Sequence, residues 1–122
     1  MAVETVRAMV LDDAVVSRFE PARVEHVTAA ASGLEHLGAV FMTFDRDGDT
    51  EPWTLQYEEV IYVVSGQVKV TVVGDGGAET VRTGETGDVL TLHQRATVRY
   101  AGTPGTRLFV ALVPIKWREL AQ

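Results

Sequence analysis

From Ala39 onward the chain alternates apolar and polar residues in short runs separated by glycine-containing breaks. "AVFMTF" (Ala39 to Phe44) precedes the polar loop "DRDGDTEP", and "TLQYEEVIYVV" then ends at Ser65 and Gly66. "QVKVTVV" runs into "GDGG", "AETVRT" into Gly84, "DVLTL" into "HQR", "ATVRY" into "AGTPG", and "TRLFVALV" closes at Pro114. Runs of this length with regular turn residues predict an all-β sandwich or barrel. The "VVSGQVKV" and "VVGDGGAETV" junctions read as tight hairpins, with glycine supplying positive φ. Residues 1–38 are less regular. "VEHVTAAASGLEHL" fits either a short helix or a strand followed by a loop, and the tail "IKWRELAQ" fits a final helical turn or an arm on a neighbouring subunit.

One row breaks the pattern. Residues two apart on a strand point the same way, so Trp53, Leu55, Tyr57, Glu59, Ile61 and Val63 share a face. A carboxylate in that row is costly to bury without a partner, water or a metal. Glu58 has the opposite parity and is expected in solvent.

Composition narrows the classes. A chain of 122 residues is read as one domain, 1–122, with a core of useful size. The formal charge of −6 argues against a nucleic-acid partner, which requires a basic patch. No apolar run approaches the roughly 20 residues of a membrane-spanning helix. The start, "MAVETVRAMVLDDAVV", lacks the basic residues and long apolar stretch of a secretory leader, and the expected compartment is the cytoplasm. The absence of cysteine excludes disulfides and thiolate metal sites.

The segment from Trp53 to Pro114 resembles the cupin superfamily. The family's first motif runs HxH, three or four residues, Glu, six residues, Gly; Glu59 and Gly66 keep that separation, and "QVKVTV" follows as the expected strand. The second motif begins with Gly and ends in PxG, two residues and His; Gly87, Asp88 and Val89 fit its start, with Gly84 just before. The motif stretches are thus 53–66 and 84–98. The departures fall on the metal ligands. The motif histidines fall on Trp53 and Leu55, or on Pro52 and Thr54 if a residue is inserted; the PxG positions become His93 and Arg95, and the third histidine becomes Val98. Of four customary ligands only Glu59 remains, so no metal and no other cofactor is expected. Within the superfamily, "WTLQYEEVIYVVSGQVKV" is similar to the ethanolamine-utilization Q-type branch, which carries W-T-L-x-Y-[DE]-E in place of HxH. The resemblance implies a cupin β-barrel, or double-stranded jelly roll. An acetate kinase activity is ascribed to the branch's type member, but the sequence has no Gly-x-x-x-x-Gly-Lys loop to cradle phosphates, and kinase chemistry is not carried over.

Candidate chemistry centres on Glu59, either as acid, base or ligand anchor facing a pocket, or as a structural glutamate bonded to a Tyr or Arg, or one turned outward by a bulge. Tyr57 and Trp53 either line that pocket or fill the volume vacated by the histidines. His93, at a strand end, is a candidate proton-transfer group, with an ordinary exposed turn residue as the alternative. The candidate catalytic set is therefore Glu59, Tyr57 and His93. The candidate ligand contacts are Trp53, Leu55, Tyr57, Glu59 and Val98. His26 and His36 are read as surface residues. "DRDGDTE" lacks the downstream glycine and glutamate spacing of an EF-hand and is read as a solvated connection. Three functions remain open: a metal-independent binder of a polar small molecule, an isomerase, lyase or dehydratase using Glu59 as acid or base, and a non-catalytic assembly protein. A homodimer is expected, with the N-terminal stretch and the Trp117 tail as contributors.

Overall fold

The computed structural model describes residues 16–27 and 32–120, together with positions 6, 8 and 9. Most of the N-terminal stretch expected to pair with another subunit lies outside the described residues. The strands are β1 (Val16–Phe19), β2 (Ala22–His26), β3 (Gly38–Phe44), β4 (Trp53–Thr54), β5 (Glu58–Ser65), β6 (Gln67–Val73), β7 (Glu79–Glu85), β8 (Val89–Leu92), β9 (Thr97–Gly102) and β10 (Arg107–Val113), and a single turn of helix, α1 (Trp117–Leu120), follows. They form a six-stranded sheet, in the order β1-β2-β3-β10-β5-β8, and a four-stranded sheet, in the order β4-β9-β6-β7. Every ladder between them is antiparallel.

Two such sheets facing each other are the jelly-roll form of the all-β fold read from the sequence. The period-two pattern explains why they close. Strand β5 buries Glu59, Ile61 and Val63 and exposes Glu58, Val60, Tyr62 and Val64. Strands β3 and β10 bury Val40, Met42, Phe44, Leu108, Val110 and Leu112 on the same side. Val68 and Val70 of β6, with Val98 and Tyr100 of β9, meet them from the other sheet. Each such side chain contributes about 1.5–3 kcal/mol when fully buried, so one continuous apolar filling joins the sheets.

Two junctions differ from the expectation. "TLQYEEVIYVV" is not one strand. Trp53 and Thr54 pair with Val98 and Thr97 in the smaller sheet, and the larger sheet takes over from Glu58. Leu55 is tied at the crossing by its N–H to the Ala96 carbonyl and by its own carbonyl, which accepts from the Arg95 N–H, both at 2.8 Å. The shared face survives: Leu55, Tyr57, Glu59, Ile61 and Val63 are all buried.

The second is Ser65 to Gly66. Strands β5 and β6 do not pair with each other, so this is a corner between sheets and not a hairpin. Two threonines hold it. Thr86 Oγ1 accepts from the Gly66 N–H at 3.1 Å, and Thr106 Oγ1 accepts from the Gln67 N–H at 3.1 Å. The β6–β7 junction, by contrast, is a hairpin, turning through Gly76 and Gly77 at φ 72° and 82°. In the N-terminal part, the strand alternative holds for "VEH", which lies within β2.

Gly66 has φ 89°, and a Cβ there would run into the Thr106 side chain and lie 2.8 Å from its Cα. Gly66→Ala is therefore expected to destabilise the fold by about 2–4 kcal/mol, combining left-handed strain with overpacking at a fixed corner. A denaturant melt within about 0.5 kcal/mol of wild type would show that the corner relaxes freely, since changes without a structural mechanism fall in that range.

Candidate functional site

The shared face leads into a cavity of about 230 Å³ at one end of the barrel. Val40, Met42, Val110 and Leu112 supply its apolar wall, and Trp53, Tyr57, Glu59 and Tyr100 supply its polar side. Ile115, Trp117 and Arg118 close it from the C-terminal segment, while Phe19 and His26 bound it from the first two strands. The helical alternative for the tail is the one adopted. Trp117 does not reach out as an arm: its ring lies 5.6 Å from those of both Trp53 and Tyr57, against its own barrel. Phe19 completes the cluster, edge-on to Trp53 at 6.3 Å and to Tyr100 at 6.4 Å.

Glu59 is 6% exposed. Its Oε2 accepts a hydrogen bond from the Tyr100 hydroxyl at 2.7 Å. No ion pair reaches it among the described residues, so of the structural alternative the Tyr bond is present, from Tyr100, and the Arg pair is not. No buried side-chain oxygen lacks a partner among the described residues, so the second Glu59 oxygen, which bonds to nothing, opens onto accessible space. Burial pushes the carboxyl pKa up to about 7, against the opposing pull of the Tyr100 bond. Near neutrality the group is thus divided between a carboxylic acid and a carboxylate.

Tyr57 accepts from the Trp53 indole N–H at 3.0 Å, and its own hydroxyl proton is left for a ligand. Burial, and then the neighbouring Glu59, push its pKa up to about 12. The same two causes, in the same order, raise Tyr100 well above the ordinary phenol value. Both phenols are donors at neutral pH. His26 is half-buried, and burial followed by the Arg118 cation lowers its pKa toward the neutral imidazole; its Nε2 lies 3.0 Å from Ser17 Oγ.

The candidates from the sequence separate into two groups. Trp53, Tyr57 and Glu59 meet at the cavity. Leu55 and Val98 are fully buried beside it and do not line it: they are core, because the chain packs apolar groups where the family motif has histidines. His93 is exposed and lies in a separate, more open groove with Leu37, Glu58, Thr91 and Leu92. Strand β8 ends at Leu92, whose side chain turns inward, so the next residue leaves the barrel. Glu59 borders this groove as well. His26, read as a surface residue, is instead part of the cavity wall, whereas His36 is exposed as expected. Asp45 of the polar loop is not simply solvated: it accepts from Arg18 at 2.8 Å and Arg23 at 2.9 Å.

Tyr100, Trp117 and His26 were not among the site residues expected from the sequence. Tyr100 carried a signal, since it lies two residues after Val98 on one strand and so faces inward with it. Trp117 carried none, because its place depends on where the chain turns after the last strand.

The fold with its two motif stretches defines a cupin. The chain belongs to the ethanolamine utilisation protein EutQ family, whose model matches residues 8–119. Among solved structures it is similar to the EutQ protein of Clostridium difficile, with TM-score 0.67 and 16% identity over 88% of this chain and 82% of that one. It also resembles an RmlC-like cupin from Shewanella frigidimarina, with TM-score 0.63 and 19% identity over 83% and 84% of the two chains. Oxalate decarboxylase of Bacillus subtilis matches at TM-score 0.73 and 17% identity, over 92% of this chain, which spans only 31% of that enzyme's length. No curated protein matches. These identities establish a shared fold.

The donor set does not fit the metal that many cupins hold. Indole, isobutyl and isopropyl groups at Trp53, Leu55 and Val98 cannot coordinate a cation, and transition metals in proteins take three or four N, O or S ligands. Among the described residues no cluster of three or more His, Cys, Asp or Glu forms.

A buried acid with a raised pKa destabilises the fold once it ionises. The folded state holds its proton up to about pH 7, whereas an unfolded glutamate releases it near pH 4.5. Stability from this group is therefore full below about pH 4.5 and is lost as pH rises to about 7, by up to about 3 kcal/mol. Glu59→Gln is expected to flatten that slope and to melt higher than wild type at pH 8. A variant that melts far below wild type would return Glu59 to a structural role.

Proposed function

We propose that this chain is a small-molecule-binding cupin that receives a polar ligand at Glu59 without a transition metal. The observation that carries this reading is the buried carboxyl with one oxygen held by Tyr100 and the other open to accessible space beside a cavity. Uncompensated burial of an acid costs stability, and a fold retains such a cost most readily where a ligand repays it. The neighbouring Tyr57 hydroxyl adds a donor, and the ring cluster adds an apolar enclosure. An open cavity also favours a binding role over a filled, purely structural barrel.

A second reading has its own support. A carboxyl with pKa about 7 beside two phenolic donors has the properties of a general acid or base, as an isomerase, lyase or dehydratase would need. Tyr57 and Tyr100, and not His93, are then the assisting groups. The test of both begins with binding. Indole resonances of Trp53 and Trp117, followed by NMR against a collection of polar fragments in the presence of EDTA, are expected to shift on occupancy. Glu59→Gln is expected to weaken the best fragment more than tenfold, about 1.4 kcal/mol. Near-stoichiometric zinc, iron or manganese in protein purified without a nickel column, or fragments that bind only before EDTA is added, would defeat the metal-independent reading.

The assembly proposed is a homodimer in the cytoplasm. No helix among the described residues is long and apolar enough to cross a membrane. The outer face of the six-stranded sheet exposes Val60, Tyr62 and Val64 of β5, with Val89 and Val113 on its neighbours. Register brings Tyr62 beside Phe109 and Val89, so the patch is continuous and free of charge at its centre. A face of this character fits a second copy of itself better than it fits water. Light scattering is expected to give a dimer mass at micromolar concentration, and Tyr62→Asp a monomer. A monomeric wild type would remove the proposal.

A further inference from the structure

Glu59 is the sole carboxylate in the cavity lining among the described residues. Two guanidinium groups, those of Arg18 and Arg118, and the His26 imidazole also line it. Arg18 bonds to Glu20 and Asp45, and Arg118 is exposed at the rim, stacked 4.4 Å over the Trp117 ring. The lining therefore brings the Glu59 carboxyl, one oxygen of which has no donor among the described residues, together with the rings of Phe19, Trp53, Tyr57 and Trp117, the last already covered by Arg118. Aromatic faces attract cations most strongly where water is excluded. A ligand amine with N–H donors answers the carboxylate as well as the rings.

We propose that the cavity is built for a small organic ammonium ion, paired with the open Glu59 oxygen and enclosed by the surrounding aromatic rings. The proposal rests on the reading of this cavity as a ligand site and adds the charge class of the ligand. The ammonium donates to the Glu59 oxygen that Tyr100 leaves open. Desolvating an ammonium is costly, and pairing with an acid that is already desolvated offsets that cost. An anion would instead require Glu59 to take up a proton.

This difference has a sign that can be measured. The ammonium binds the ionised carboxylate, so binding below about pH 7 must release a proton. With an ionised fraction of about one tenth at pH 6 and nine tenths at pH 8, apparent affinity rises about tenfold between them. The other groups around Glu59 do not mimic this change. Tyr57 and Tyr100 stay neutral, and Arg18 stays charged. Strands β3 and β10 bring only Val40, Met42, Val110 and Leu112, and Glu58 and His93 lie in the outer groove. His26, lowered by burial and by Arg118, is the further titratable group on the cavity wall, and Glu59→Gln separates its effect.

The test is calorimetric titration of the full chain with butylammonium, 1-butanol and butyrate, which share a size and differ in charge. Each is run at pH 6 and pH 8, in two buffers of different ionisation heat. Butylammonium is expected to bind at least tenfold more tightly than the other two at pH 8, and to release close to one proton per site at pH 6. Glu59→Gln is expected to abolish both the preference and the release. If that variant fails to fold, proton release by the wild type still decides the sign. Butanol or butyrate binding as tightly as the amine, or proton uptake in place of release, overturns the ammonium assignment and leaves the cavity a ligand site. Silence from all three, while polar fragments do shift the Trp53 and Trp117 indoles, overturns this assignment alone. Silence from the fragments as well overturns both.

Discussion

A carboxyl group inside an apolar barrel is the constraint around which this protein is arranged. Glu59 sits on a strand whose other inward residues, Ile61 and Val63, are wholly apolar and wholly buried. It is tolerated there because Tyr100, from the opposite sheet, donates to one oxygen, and because the cavity keeps the other from being sealed. A single neutral donor does not offset the loss of water around a charge, so the group keeps its proton to near neutral pH. Stability and chemistry at this site are therefore opposed.

The jelly roll supplies the geometry that this opposition needs. Glu59 belongs to the six-stranded sheet and Tyr100 to the four-stranded sheet, so their bond spans the interior. The corner at Gly66, held by Thr86 and Thr106, sets where the chain leaves one sheet for the other and so fixes the depth of β5. At the open end, the C-terminal turn places Trp117 against Trp53 and Tyr57.

Compared with the metal-binding pattern of the cupin superfamily, the chain has exchanged ligands for packing. Trp53 and Val98, at two of the histidine positions, are cross-strand partners in the small sheet. Leu55, at a third, is fully buried under the crossing between the sheets. Across this exchange an apolar filling joins the sheets. The glutamate persists, and its environment becomes one of phenols and indoles.

Much of this was legible in the chain itself. Period-two alternation fixed the strands and their faces, because side chains on a pleated strand have only two directions to point. Glu59 stood out for the same reason, as a carboxylate in an apolar row, and the spacing from Glu59 to Gly66 pointed to the cupin family. Local pattern could not give the partners. That Ser65 and Gly66 turn a corner and not a hairpin depends on which distant strands pair with β5 and β6. That His93 leaves the barrel depends on where β8 ends, and that Trp117 enters it depends on the path taken after Pro114. Parity along one strand is a local property of the backbone. Which side chains meet across the interior is set by long-range pairing and by burial shared among many residues, and only the folded chain decides it.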